Sequence, residues 1–374
     1  MPLFNRFSQQ DVRTRHNLNL NLDIPGLGRI TCEHPLRIIQ NKRIVCLGRW
    51  GADPVLVKLY FNAQKAKRNW QRSLSGARAF LERGLPAPAI LYSGPLPEGK
   101  AFIIVFEYLT GADRLDKVLT RTHSEQARKD VKNQLVACLA GHHQQGVVQN
   151  DQHLGNFLVE GKMVYSLDGD QIQTFSSSVP IRCSLNNLAA FFACFPPEED
   201  REIDSFLIQY FRLRELPLKE GTVRKVLKKT RHSRKQRIKE YMRKIFRNRD
   251  PFVVEKSRIR FCVYDQRLWD KAYAPFKGNP DNFFTHRKDK DRQQIQVNTK
   301  QGMVSVTLRK EPSWPVYWRK NVLAQNWKQG LLNHRLGRTG PRPIMFLRVK
   351  TGFFCFASYL LSTRTDQDDS SARK

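Results

Sequence analysis

The stretch QNDQHLGNFLV (residues 149–159) holds one acid, Asp151, and five residues later one amide, Asn156; LDGD (residues 167–170) follows and brings Asp168 and Asp170. An Asp and an Asn at that distance arise often by chance, and both residues also form turns readily. The surroundings give the pair its weight. A helix ending in HHQQG precedes it, the strand NFLV follows it, and the apolar strand MVYSL then delivers Asp168 to the next turn.

Upstream, SEQARKDVKNQLVACLAGHHQQG reads as a helix. Leu135 and Leu139 lie on its apolar stripe, Ser124 is its N-cap, and Gly146 is its stop. Downstream, FLVEGKMVYSLD reads as a hairpin turning at Glu160-Gly161, and SLNNLAAFFACF and EEDREIDSFLIQYFRL read as helices. Nearer the N-terminus, LRIIQNKRIVCLGRW reads as a hairpin turning near Asn41-Lys42, and PVLVKLYF (residues 54–61) as a third strand. A helix over residues 63–83 ends at RGLPAP, and AILYSG and AFIIVFEYL are two further strands. Residues 1–34 are polar and basic and read as an arm or a loosely packed strand.

Beyond this region, residues 219–260 are densely basic. Ile238, Tyr241, Met242, Ile245 and Phe246 recur there at helical spacing, which predicts an amphipathic helix with one docked and one cationic face. The C-terminal third holds a partial repeat. NWQRSLSGARAFLERGLPAPAILYSG (residues 69–94) resembles NWKQGLLNHRLGRTGPRPIMFLRV (residues 326–349), and AFIIVFEYLTG resembles GFFCFASYLLS. Coincidental helix-turn-strand similarity is the alternative. No second D-x-x-x-x-N loop accompanies the repeat.

Charge narrows the partners. Lys and Arg total 65 against 34 acids, a net charge of +31, which implies an anionic partner: nucleic acid, an acidic membrane surface or a phosphorylated ligand. Nucleic acid is not expected, because no zinc motif, RNP-like aromatic pattern or helix-turn-helix signature accompanies the charge. The N-terminal residues show no apolar run of signal-peptide length, and the longest apolar clusters are too short to span a bilayer. The reading is a cytosolic protein or one attached to a membrane face. Seven scattered cysteines without a CxxC read as buried reduced thiols.

Phosphoryl transfer needs a Lys on the nucleotide phosphates, a carboxylate to orient the acceptor hydroxyl, and an Asn and an Asp on magnesium. Lys58 in VLVKLYF, Asp151, Asn156 and Asp168 supply these in chain order. Taken alone, Lys58 would read as an edge-strand lysine exposed to water.

With its flanks, GHHQQGVVQNDQHLGNFLV…YSLDGDQI resembles the bacterial lipopolysaccharide core kinases, the Kdo and heptose kinase family, over roughly residues 35–252. The resemblance implies an α+β, protein-kinase-like bilobal fold: an N-terminal arm (1–34), a β-rich small lobe (35–110) and a helical large lobe (111–255) with a basic helix (219–250). A C-terminal unit that is a partial small-lobe-like repeat (256–362) and a disordered tail (363–374) complete the chain. It implies Asp151 as catalytic base and Asn156 and Asp168 as magnesium ligands, with Asp170 a further ligand or a turn cap. Lys58, Glu107 and Leu109 would bind ATP, and His153 would brace the loop by hydrogen bonds. The implied cofactors are ATP and Mg2+. The implied acceptor is a sugar hydroxyl of the lipid A–core glycolipid, reached from the cytoplasmic face of an anionic inner membrane.

Three features depart from the kinase pattern. Gln149-Asn150 replace His-Arg, so control by activation-loop phosphorylation is not expected. No glycine-rich loop lies between Leu36 and Trp50. The helix after Lys58 carries Asn69 or Ser73 where a Glu would pair with the lysine, and Glu82 lies at its far end. Two alternatives stay open: a kinase of a protein or soluble small molecule, and a non-catalytic pseudokinase scaffold at an anionic membrane surface.

Overall fold

The computed structural model describes residues 18–24, 26–39, 42–61, 64–97, 101–248, 251–284, 291–313, 321–336, 338–352 and 355–363. The tail expected at 363–374 lies outside them from residue 364 on, as do residues 1–17 of the expected arm. The fold is α+β, and the chain divides into two compact units at Arg231/His232.

The first unit opens with an antiparallel sheet in the order β1-β2-β3-β4-β6-β5. Its strands are β1 (Leu20–Ile24), β2 (Gly28–Ile39), β3 (Arg43–Trp50), β4 (Asp53–Tyr60), β5 (Ile90–Pro95) and β6 (Phe102–Glu107). Of the two readings offered for residues 1–34, an arm or a strand, residues 20–24 and 28–34 take the second and join the ladder. The alternation Leu20, Leu22, Ile24 seals one sheet face together with Ile30, Val55, Val57, Leu59 and Val105. The opposite face receives helix α1 (Ala66–Leu81), whose Trp70, Leu74 and Ala77 meet Tyr60, Ile104 and Phe106. The α1 helix stops where Gly84 takes a φ of +65° and the Leu85 amide donates back to the Phe80 carbonyl.

The rest of this unit is built on helices α2 (Leu115–Arg121), α3 (Glu125–Gln144), α4 (Ile181–Phe192) and α5 (Ile203–Leu213). Leu135, Leu139, Leu188, Phe191, Phe206 and Leu207 form its core. The Ser124 hydroxyl accepts the Ala127 amide at the start of α3. Short strands carry the loops of interest: β7 (Asp113–Arg114), β8 (Val147–Gln149), β9 (Phe157–Glu160), β10 (Met163–Ser166) and β11 (Ile172–Thr174). Strands β9 and β10 pair from Glu160↔Met163 around a turn in which Gly161 has a positive φ. The basic helix α6 (Thr222–Lys244) crosses the division.

The second unit begins inside α6, earlier than residue 256. Tyr241, Met242, Ile245, Phe246 and Phe252 all contribute to its core with Trp327, Phe346 and Leu360, so the chain before 256 cannot be separated from it. Its sheet runs β12-β13-β16-β17-β15-β14. The strands are β12 (Phe252–Lys256), β13 (Arg260–Asp265), β14 (Arg292–Thr299), β15 (Gly302–Ser313), β16 (Pro343–Lys350) and β17 (Phe356–Thr363). A short helix α7 (Ala274–Gly278) follows β13, and α8 (Val322–Arg335) lies between β15 and β16.

Within each sheet one four-strand order recurs, β3-β4-β6-β5 and β14-β15-β17-β16, with a helix after the second strand. Both copies carry a register shift at the start of the third strand, at Ile90/Tyr92 and at Pro343/Met345. Among the described residues no helix is long and apolar enough to cross a membrane. The cysteines are free; Cys32, Cys46 and Cys262 are buried, whereas Cys355 is exposed.

Candidate active site

Strand β4 is interior to the first sheet, paired with β3 and β6, so Lys58 is no edge-strand residue. Alternation turns Leu56, Lys58 and Tyr60 toward α1 while Val55, Val57 and Leu59 enter the other face. Lys58 is only 9% exposed. Its Nζ stands 3.4 Å from Asp168 Oδ1 and 5.3 Å from the centre of the Phe106 ring.

The loop that opened the sequence reading is tied down from below. The buried Gln149 side chain donates to the Leu167 carbonyl at 2.7 Å, fixing the residue before Asp168. The Gln149 carbonyl accepts from Gln152 Nε2 and Asn187 Nδ2, each at 2.8 Å. Asn187 Oδ1 also faces His143 Nε2 at 3.0 Å, and His143 Nδ1 faces the Tyr210 hydroxyl, to which Arg214 donates. Burial, against the Asn187 bond and with the help of Arg214, lowers the His143 pKa to about 4, so this ring is neutral and donates on one side while accepting on the other. Gln149 thus holds the loop by neutral hydrogen bonds.

Above this base the Asp151 carboxylate is exposed, and Asn156 Nδ2 donates to the Asp151 carbonyl at 2.9 Å. That bond uses one of the two amide hydrogens, fixes which way the amide points, and leaves Asn156 Oδ1 as an acceptor. The Leu167 amide donates to the Asn156 carbonyl at 2.7 Å, which couples the Asn to the strand leading into Asp168. His153 Nδ1 accepts the Gly155 amide at 2.9 Å and caps the single turn Leu154–Asn156.

Asp168 has a φ of +63°, a conformation rarely held by a non-glycine residue without a compensating constraint. Burial alone would raise its pKa; the charges of Lys58, Arg43 and Arg37 and the Lys58 hydrogen bond reverse this and hold the carboxyl below its usual range. The carboxylate is therefore ionised at neutral pH. Asp170 is turned elsewhere. Its Oδ2 lies 2.6 Å from Arg43 Nη1 of β3, and Asp170 does not line the cleft that Lys58 and Asp168 share.

The absent helix Glu has a steric explanation. Helix α1 and the Asp168-Gly169-Asp170 turn meet backbone to backbone. A Cβ on Gly76 would sit 1.9 Å from the Gly169 carbonyl oxygen, and one on Gly169 would sit 2.4 Å from the Ala77 nitrogen and 2.7 Å from the Ser73 oxygen. Ser73 is fully buried at that contact. The turn fills the space a longer acid would occupy, and Asp168 serves as the partner of Lys58.

The cleft has a volume of about 380 Å³. Leu36, Val45, Leu56, Phe106, Leu158 and Leu167 supply apolar walls, and Glu107, Leu109, Asn156 and Asp168 also line it. Arg37, Arg43, Arg114 and Lys117 add cations that the sequence reading did not single out. Arg37 lies on β2 and Arg43 on β3. Their readable signal was the spacing RIIQNKR across a hairpin.

The lining suits a flat apolar ring carrying an anionic tail. The carboxylate of Asp168 and the free amide oxygen of Asn156 are hard oxygen donors of the kind magnesium takes, completed by water and phosphate oxygens. Among the described residues no cluster of three His, Cys, Asp or Glu side chains could hold a metal without such help. No family model matches the chain, and no curated protein matches it in sequence.

Proposed function

We propose that the first unit has a protein-kinase-like bilobal fold and is an ATP- and Mg2+-dependent phosphotransferase with an alcohol acceptor. One observation carries the reading: Lys58 and Asp168 face each other in a cleft whose floor also holds Asn156, and Asn156 is bonded to the backbone of an exposed Asp151. Bound magnesium–nucleotide would supply the electrophilic phosphorus and offset the charge spread over the transferred group. Asp151 accepts the proton of the attacking hydroxyl. Lys58, with Arg37 and Arg43 beside it, holds phosphate oxygens, and Asp168 and Asn156 hold the metal. Glu107 and Leu109, at the end of β6, offer backbone groups to the base.

The acceptor we infer is a Kdo or heptose hydroxyl of the lipopolysaccharide core, at the cytoplasmic face of the bacterial inner membrane. The resemblance of GHHQQGVVQNDQHLGNFLV to that kinase family supports it, as does the net charge of +31, which suits a phosphorylated glycolipid on an anionic leaflet. The test is transfer of labelled phosphate from ATP to purified core glycolipid by the full chain and by Asp151→Ala. Transfer that persists in the variant overturns the mechanism. Transfer to a soluble sugar or a protein but not to glycolipid replaces the acceptor and keeps the chemistry.

A further inference from the structure

The register shifts align the two sheets so that Ile104 corresponds to Leu360. Lys58 pairs with Ile104 and Arg309 with Leu360, so Arg309 takes in β15 the place of Lys58 in β4. In the first sheet the cation at this place meets a turn with two acids, of which the cleft uses one. Two ion pairs join that sheet to the turn. Lys58 of β4 reaches Asp168 at 3.4 Å, and Arg43 of β3 reaches Asp170 at 2.6 Å. Tyr60 is the direct cross-strand partner of Arg43 and faces α1, as Lys58 does, so both cations leave the same face of the sheet.

Asp168 keeps its φ of +63° between fixed neighbours. Before it, Gln149 holds the Leu167 carbonyl; after it, Ile172 pairs with Gln149, and the Asn150 amide donates to the Gln171 carbonyl at 3.0 Å. Relaxing Asp168 to an ordinary negative φ would rotate the chain beyond it by roughly 120° and carry Asp170 off Arg43. The two pairs differ in what a ligand does to them. Lys58 is the residue read as holding phosphate and Asp168 the one read as holding metal, so binding competes with the bond between them. Asp170 does not line the cleft, and its bond to Arg43 Nη1 faces no such competition. Stability is a poor reason for that bond. Asp170 Oδ1 and Arg43 Nε are buried without a hydrogen-bond partner among the described residues, and a buried pair left partly unmatched gains little over apolar side chains of the same shape.

We propose that Asp170 is a positioning residue: bonded to Arg43, it latches the turn to β3 and keeps the Asp168 carboxylate aimed into the cleft once Lys58 turns to phosphate. The latch takes over the work of the helix acid that this chain lacks, from a residue two places after Asp168. The inference rests on the phosphotransferase reading and adds to it a residue that touches neither substrate nor metal.

The test is the Mn2+ concentration that half-saturates the full chain in the presence of the ATP analogue AMP-PNP, read by electron paramagnetic resonance. Asp170→Ala should raise it about tenfold, the usual worth of a residue that orients a metal ligand, and Asp170→Asn, which leaves Arg43 an oxygen, by less. In an Arg43→Met background Asp170→Ala should add nothing, because its effect runs through Arg43. Affinity for AMP-PNP without metal should not change in Asp170→Ala. In transfer assays kcat should fall with the acceptor KM unchanged, and added Mg2+ should restore part of the rate in Asp170→Ala but not in Asp168→Ala. If Asp170→Ala does not fold, Asp170→Asn decides instead. The proposal fails if the melting temperature falls while the Mn2+ requirement stays, since the bond is then structural only. It also fails if the Mn2+ shift persists in full in the Arg43→Met background, since Asp170 then acts directly. The Mn2+ shifts without transfer to any acceptor would sink the phosphotransferase reading and keep the latch; transfer by the parent with no Mn2+ shift in Asp170→Ala would do the reverse. A parent chain that gathers no Mn2+ with the analogue overturns both.

Discussion

The sheet around Lys58 and the sheet around Arg309 share strand order, helix position and register shift, yet they are finished differently. In the first, the chain returns after α3 and packs an acid-bearing turn against α1, so the cation faces Asp168. In the second, a second arginine stands opposite the cation, with amides from α8 around it. A sheet with one helix suffices to place a cation on a concave face. What that cation can do is decided by what the chain lays over it. The largest expected effect follows directly. Asp151→Ala should lower phosphate transfer by about 10²–10⁴-fold, the usual worth of a positioned general base. Asp151 is exposed, so its loss should leave the melting temperature within about a degree or two.

A second substitution attacks the contact that only the first sheet has. Gly76→Ala drives a methyl into the Gly169 backbone, which cannot swing aside as a side chain would. We expect a loss of about 1–3 kcal/mol in stability and a larger loss in transfer, because Asp168 moves with Gly169. Gly330→Ala in α8 meets the Pro343 ring at 2.5 Å and should cost a similar amount of stability with transfer intact. Equal transfer losses in the two variants would show that the backbone contact has no bearing on the site. Ser73→Glu, which restores the kinase pattern by name, should reduce transfer for the same steric reason.

Gly76 also shows what the sequence made legible. A glycine inside a helix costs about 1 kcal/mol against alanine, and here it sits three residues after Ser73, which stands where the kinase pattern has an acid. Read with Gly169, it announces a close helix–turn approach, the backbone contact made at Gly76 and Gly169. The strands, the helix from Ser124 and the order of Lys58, Asp151, Asn156 and Asp168 were readable because alternation, capping and turn residues are local signals. Residues 20–34 stayed open between arm and strand because NLNLNLDI places polar residues on every second position, which looks like a polar arm until a sheet covers the leucines. The pairing of Arg43 with Asp170 joins residues far apart in sequence and leaves no local trace.

That pairing gives the third prediction. Arg43 and Asp170 are mostly buried and bonded at 2.6 Å, so removing either leaves the other charge poorly solvated. Burial lowers the Arg43 pKa, but Asp170, Asp168 and Tyr60 outweigh it and raise it overall, so the arginine stays charged. Arg43→Ala and Asp170→Ala should each destabilise the first unit, and the double variant should cost less than their sum by about 1–3 kcal/mol. Additive losses would mean that the two charges do not support each other. Asp170→Ala should also spare more transfer than Asp168→Ala, since Asp170 does not line the cleft.

The last prediction concerns pH and separates the units again. Burial lowers the pKa of His142 to about 3, with a contribution from His143, and that of His143 to about 4. Below about pH 6.5 the unfolded chain takes up these two protons while the folded chain does not, until the pH approaches 4. Both rings have depressed folded values, so their stabilisation is complete above about pH 6.5 and is lost as the pH falls toward 4. Each ring changes stability by at most ~1.4 kcal/mol per pH unit in that window. His334 in the second unit shifts the same way but is exposed, and solvent screens its share. Hydrogen exchange between about pH 7 and about pH 5 should therefore show protection falling in α3 and α5 before β16 and β17. His143→Gln, which can still donate to Asn187 and accept from Tyr210, should flatten the dependence in the first unit. An equal fall in both units, or a slope unchanged by His143→Gln, would remove the buried histidines as its cause.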